Sequence, residues 1–198
     1  AWNVREPDGA RRWEEAGRPV VPSLAVDGRA VPILHVTQIA SALGLPVPPA
    51  AEAARLGWEL SGLLDAWVER LRPLDLETLT APTSSRGRSL RNLTVNVFHP
   101  VELLPDAFAA GRFPWDPDGD EGRERPLRSA EAVVGYAGRI AGAWTAFLLE
   151  AEDALAERDP AVVSPRGEVA YRELLASQVW HAGFHLDQVD AFLAARAS

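Results

Sequence analysis

The chain of 198 residues contains no cysteine and no methionine. Without cysteine it has no disulfide framework, no thiolate ligand and no nucleophilic thiol of its own, so any thiol chemistry must use a thiol carried by a substrate. The missing methionine includes an initiator, and the start is read as processed or trimmed. Basic residues are in the minority, 20 against 28 acidic ones, for a net charge of −8. That balance argues against a nucleic-acid backbone as partner. No apolar run approaches the roughly 20 residues of a membrane span, and no secretory signal is visible. The expectation is a soluble, cytoplasmic protein with no membrane partner. What the chain does have is 47% apolar residues and seven tryptophans, enough for a substantial core.

The first fifty residues differ in texture from the rest. Trp2-Asn3-Val4 reads as a short strand, and Pro7 to Ala16 as a helix ended by Gly17. Val20 to Val26 and Ala30 to Leu34 read as strands joined by the turn pair Asp27-Gly28, a hairpin signal. Val36 to Leu43 is a short helix closed by Gly44. Three prolines among Pro46, Pro48 and Pro49 then make a stiff connector. The division is 1–44, an α/β segment; 45–50, a linker; and 51–198, a helical domain.

In the helical part, Leu56, Leu60, Leu63, Leu64, Trp67, Val68 and Leu71 recur at helical spacing within 50–72. A second helix runs from about Ser89 towards Phe98, and Pro100 predicts a kink or a new helix start beside His99. Leu74 to Arg88 is mixed. Ala107 to Arg128, rich in glycine, proline and aspartate, reads as an irregular loop anchored by Phe113 and Trp115. Its acids Asp116, Asp118, Asp120 and Glu121 do not have the spacing of an EF-hand and read as an exposed acidic loop. Ser129 to Arg158 is a long helix, Pro160 to Gly167 a turn, and Glu168 to Ala195 the last helix. Four helices after residue 50 argue for a four-helix bundle, so the fold class is mainly α.

The last helix carries His181-Ala182-Gly183-Phe184-His185. Side chains four apart share a helix face, so His181 and His185 project together and can grip one divalent ion. The alternative is a pair of hydrogen-bonded histidines at the edge of a core. His99 lies on a stripe with Asn92 and Asn96, and three of the chain's four histidines thus fall on helices. For His99 the alternative is a capping or surface role. Glu is missing after His181, so the H-E-x-x-H general base of zinc proteases is absent.

Two family resemblances follow. Val21-Pro22-Ser23-Leu24, Asp27-Gly28 and the helix after them resemble the second half of a glutaredoxin or thioredoxin fold, with the preceding strand, helix and Cys-x-x-Cys motif missing. Asn92 to His99, together with His181 to Gln188, resembles the DinB-like superfamily over residues 51–198. That resemblance implies a divalent metal, zinc first with nickel or iron as alternatives, bound by His99, His181 and His185. It also implies thiol-dependent chemistry of the mycothiol-dependent maleylpyruvate isomerase and S-transferase type, with a low-molecular-weight thiol cosubstrate and an electrophilic substrate. Asn96 and Gln188 would orient ligands or substrate; the alternative for both amides is a plain polar contact. No general acid or base is identified. A metal-dependent hydrolase and a non-catalytic metal-binding module, including a homodimer, remain as other readings.

Overall fold

The computed structural model describes residues 6–17, 23–27, 29–33, 36–46, 52–83, 87–114, 119–164 and 167–197. It is mainly helical, with two small hairpins. The N-terminal segment holds α1 (Pro7–Glu15), β1 (Ser23–Val26), β2 (Arg29–Pro32) and α2 (Val36–Ala42). The strands pair antiparallel, Ser23 opposite Pro32 and Val26 opposite Arg29. Asp27 enters the turn with φ +48°, a left-handed conformation that aspartate tolerates. The expected elements at Trp2 to Val4, the Val21-Pro22 bond, Gly28 and most of the proline connector lie outside the described residues.

Then follow α3 (Ala53–Leu71), α4 (Leu76–Thr80), α5 (Leu90–Glu102), α6 (Leu104–Ala110), α7 (Gly119–Glu124), α8 (Ala130–Glu157), β3 (Ala161–Ser164), β4 (Gly167–Ala170) and α9 (Tyr171–Ala197). Side-chain caps start several of these helices. Asp75 accepts from the Thr78 amide, Ser89 from Asn92 and Ser129 from Ala132. Each satisfies one of the amides that a helix start leaves without an internal partner.

Helices α3 and α5 each pack against both α8 and α9. Leu60, Leu64, Trp67 and Leu71 of α3, Leu93 and Phe98 of α5, Ile140 and Trp144 of α8, and Leu175 and Val189 of α9 share one core. Gly57 lets α3 approach α8 closely: a Cβ there would stand 2.6 Å from Leu148 Cδ2. At the same crossing the Trp144 indole donates to the Gly57 carbonyl at 3.1 Å, and Ser61 and Thr145 share a hydrogen bond. Helix α5 runs antiparallel to α9, with Asn96 at His181 and the Leu104 carbonyl accepting from the Tyr171 hydroxyl.

Several expectations are corrected. Helix α5 continues through Pro100, and the break falls at Leu103, so His99 sits inside its last turn. Proline there removes the amide that would have bonded the Asn96 carbonyl and sets its ring against that carbonyl, yet the helix runs on to Glu102. The stretch 107–128 is not irregular throughout: it contains the end of α6 and all of α7, with Phe113 buried as expected and Trp115 outside the described residues. Pro160 to Gly167 is not merely a turn. Ala161 pairs with Ala170 and Ser164 with Gly167, so Glu168 to Ala170 belong to a strand and α9 begins at Tyr171. By length and hydropathy α8 would suffice to cross a membrane, contrary to the sequence reading. About a third of its most apolar stretch is buried in the protein, and a helix that lines a core meets the same two criteria.

Candidate functional site

The histidine-bearing face of α9 includes Leu174, Gln178, His181, His185 and Gln188. Leu174, Gln178 and His185 are buried and His181 and Gln188 half-buried. The two imidazoles stand edge to face with ring centroids 4.7 Å apart. His185 Nδ1 lies 2.8 Å from Gln188 Oε1. An amide oxygen can only accept, so His185 donates from Nδ1.

On α5, Asn92, Asn96 and His99 form one stripe, as their spacing requires. His99 is 1% exposed, and its Nδ1 lies 2.5 Å from Oδ1 of Asp120 on α7. The carboxylate accepts, so this imidazole also donates from Nδ1. Asn96 joins the two histidine-bearing helices. Its Oδ1 faces His181 Nε2 at 3.2 Å and accepts from Arg88 at 3.2 Å, while its Nδ2 donates to Asp120 Oδ2 at 3.4 Å. The Arg88 donor and the Asp120 acceptor together fix which way the amide points, so His181 donates from Nε2.

The result is one hydrogen-bonded string, His99–Asp120–Asn96–His181, with His185 against its end. The sequence reading named five of the residues involved and placed Asn96 and Gln188 beside histidines, where they are found. It missed Asp120, which it assigned to an exposed acidic loop. Helix α7 instead turns this carboxylate inward, leaving its side chain 26% exposed. Burial by itself pushes the Asp120 pKa up. Hydrogen bonds from His99 and Asn96, with the charges of His99 and Arg123, outweigh that and hold it below the ordinary aspartate value.

Two buried polar atoms among the described residues have no hydrogen-bond partner, Tyr136 Oη and Gln178 Oε1. Gln178 lies one helical turn before His181 on the same face. Tyr136, on α8, is within electrostatic reach of Glu102, Arg123, Arg139 and Asp120. Burial, then the Glu102 charge, push the phenol pKa well above its usual value. Tyr136 therefore stays protonated near neutrality and is available as a donor. Buried atoms of this kind are what a bound polar ligand would satisfy.

As donors for a divalent ion, the histidines fit in chemistry and fall short in convergence. His99 and His185 each direct Nδ1 to an acceptor, an arrangement common among metal-ligating histidines. His181 uses Nε2 on Asn96 instead. Among the described residues no group of three or more His, Cys, Asp or Glu side chains is placed to hold a metal ion. A shared ion would meet His181 either at Nδ1 or, with the contact to Asn96 given up, at Nε2. No known protein family, curated protein or solved structure matches the chain.

Proposed function

We propose that residues 51–198 form a four-helix bundle of the DinB-like type, with α3, α5, α8 and α9 as its helices, acting as a metal-dependent transferase or isomerase. The cosubstrate would be a low-molecular-weight thiol and the other substrate an electrophile. The observation that carries this reading is the partly buried string His99–Asp120–Asn96–His181, with His185 beside it. A structural polar contact needs neither three imidazoles nor two of them with Nδ1 turned to acceptors.

In this reading His99, His181 and His185 hold a divalent ion, zinc first. Such an ion would supply Lewis acidity that favours the thiolate form of a bound thiol near neutral pH. Gln188 holds the His185 ring, and Asn96 holds His181. The Tyr136 hydroxyl and Gln178 Oε1, buried and without a partner, would donate to an oxygen of the electrophile and accept from a polar hydrogen, respectively. Trp67 and Phe98, both fully buried, would supply apolar surroundings next to the histidine-bearing turns.

A second reading is a non-catalytic interaction module. It is favoured by Trp180 and Phe184, 66% and 46% exposed on α9, whose rings stack with centroids 5.3 Å apart. Metal content of untagged protein purified without chelators, measured beside His181→Ala, separates the two. About one equivalent of metal, lost in the variant, followed by turnover of a thiol with an electrophile, supports the enzyme. No metal and no uptake on titration rejects it and leaves the interaction module.

A further inference from the structure

Asp120 bonds two residues at once, and both lead to histidines. Its Oδ1 takes the Nδ1 hydrogen of His99, and its Oδ2 takes the Nδ2 hydrogen of Asn96. The second bond matters because an asparagine amide has two faces. With Nδ2 turned to Asp120, Oδ1 necessarily turns to His181. One carboxylate on a six-residue helix thereby fixes the orientation of polar groups on both α5 and α9.

Helix α7 is held in place by contacts that do not involve Asp120. Glu124 accepts from Arg91 Nε at 2.9 Å and from Asn92 Nδ2 at 2.7 Å. Arg123 reaches Glu102 at 3.4 Å, and Arg139 of α8 holds the other oxygen of Glu102 at 3.0 Å. The partners on α5 at 92, 96, 99 and 102 recur every three or four residues, with 91 beside them, and form one face. So α7 lies along the His99 stripe through polar contacts, and Asp120 is the part of it that reaches the imidazole. Glu121, its neighbour, points to solvent.

We infer that Asp120 is a positioning residue: it takes the Nδ1 hydrogen of His99, so that the ring when neutral keeps the Nδ1–H form, and through Asn96 it sets the contact that His181 makes. For ligand binding the inference rests on the metal reading above, because a carboxylate on the far ring nitrogen orients a ligating histidine and raises its basicity. For the tautomer it stands on the hydrogen bonds alone.

The test uses the full chain as wild type, Asp120→Ala and Asp120→Asn, with helix content checked by circular dichroism. Nitrogen-15 NMR of the histidine rings, without metal and at about pH 8.5 where imidazole is ordinarily neutral, reads the tautomer. Wild-type His99 is expected in the Nδ1–H form, Asp120→Ala as a mixture, and Asp120→Asn, which retains an acceptor oxygen, close to wild type. Titration with zinc alone is expected to show the Kd raised about ten- to hundredfold in Asp120→Ala, with partial recovery in Asp120→Asn. Wild-type His99 in the Nε2–H form overturns the inference, as does Asp120→Ala with tautomer and zinc affinity both unchanged. If wild type binds no zinc, the proposed function falls separately, and the tautomer comparison by itself upholds or overturns the role of Asp120.

Discussion

The indole Nε1 of Trp67 donates to the main-chain carbonyl of Ala182 at 3.1 Å, and the same ring meets Phe98 edge to face with centroids 6.1 Å apart. Ala182 adjoins His181 and Phe98 adjoins His99. One fully buried side chain on α3 thus braces both helices that carry the candidate site. Trp67→Phe, which loses the donor and part of the ring, is expected to lower stability by about 2–3 kcal/mol in urea unfolding. It should also shift the ring resonances of His181 and His99. A loss under about 0.5 kcal/mol, which is typical of an unimportant surface change, would contradict the bracing.

Two glycines on α3 make opposite predictions. At Gly62, exposed and with nothing within 4 Å of a built Cβ, alanine should raise stability by about 0.5–1 kcal/mol through helix propensity. At Gly57 the same gain is opposed by contact with Leu148, itself buried beside Trp144. Overpacking of this kind costs about 1–3 kcal/mol, so Gly57→Ala should be net destabilising. Thermal unfolding of the two variants checks the sign of each.

Tyr136 should behave as a residue kept for something other than stability. Its buried hydroxyl has no hydrogen-bond partner, so removing that oxygen leaves no group unsatisfied. Tyr136→Phe is expected to raise stability by about 1 kcal/mol, read as a higher Tm, and to weaken turnover if the proposed reaction is correct. A lower Tm would show that the hydroxyl is bonded.

Acid should loosen the connection between α3 and α5. The Thr78 amide, bonded to the Asp75 carboxylate at 2.8 Å, holds the Asp75 pKa below its ordinary value. A carboxylate with a depressed folded pKa stabilises fully above its unfolded value, about 3.9. That contribution fades as pH falls through the folded value. Asp75→Asn, still a good cap, should match wild type near neutrality and lose less stability below about pH 4. Circular dichroism against pH measures the difference.

How much of this was legible beforehand varies with how local the cause is. The cap at Ser129, the buried positions of α3 and the shared face of His181 and His185 follow from spacing and side-chain chemistry within a few residues. Val162-Val163 and Glu168-Val169 around Pro165-Arg166-Gly167 carried a hairpin signal, read too narrowly as a turn. Of the two outcomes open at Pro100, a continuing helix or a new start, the structure has the first, with α5 running on to Glu102. Asp120 is a different case. Nothing local separates it from Glu121; docking of α7 along α5 turns one carboxylate inward and leaves the other in water.

Glu173, in the first turn of α9, receives the Thr37 hydroxyl on one oxygen at 2.5 Å and the Ala170 amide on the other at 3.1 Å. The two ends of the first contact are 136 residues apart in the chain. At roughly 5–20 residues per second of synthesis, that separation is on the order of 10 s. During this interval Thr37 has emerged, while the residue that receives it has yet to be made. Closure of this contact between α2 and the start of the histidine-bearing helix therefore waits on the synthesis of α9.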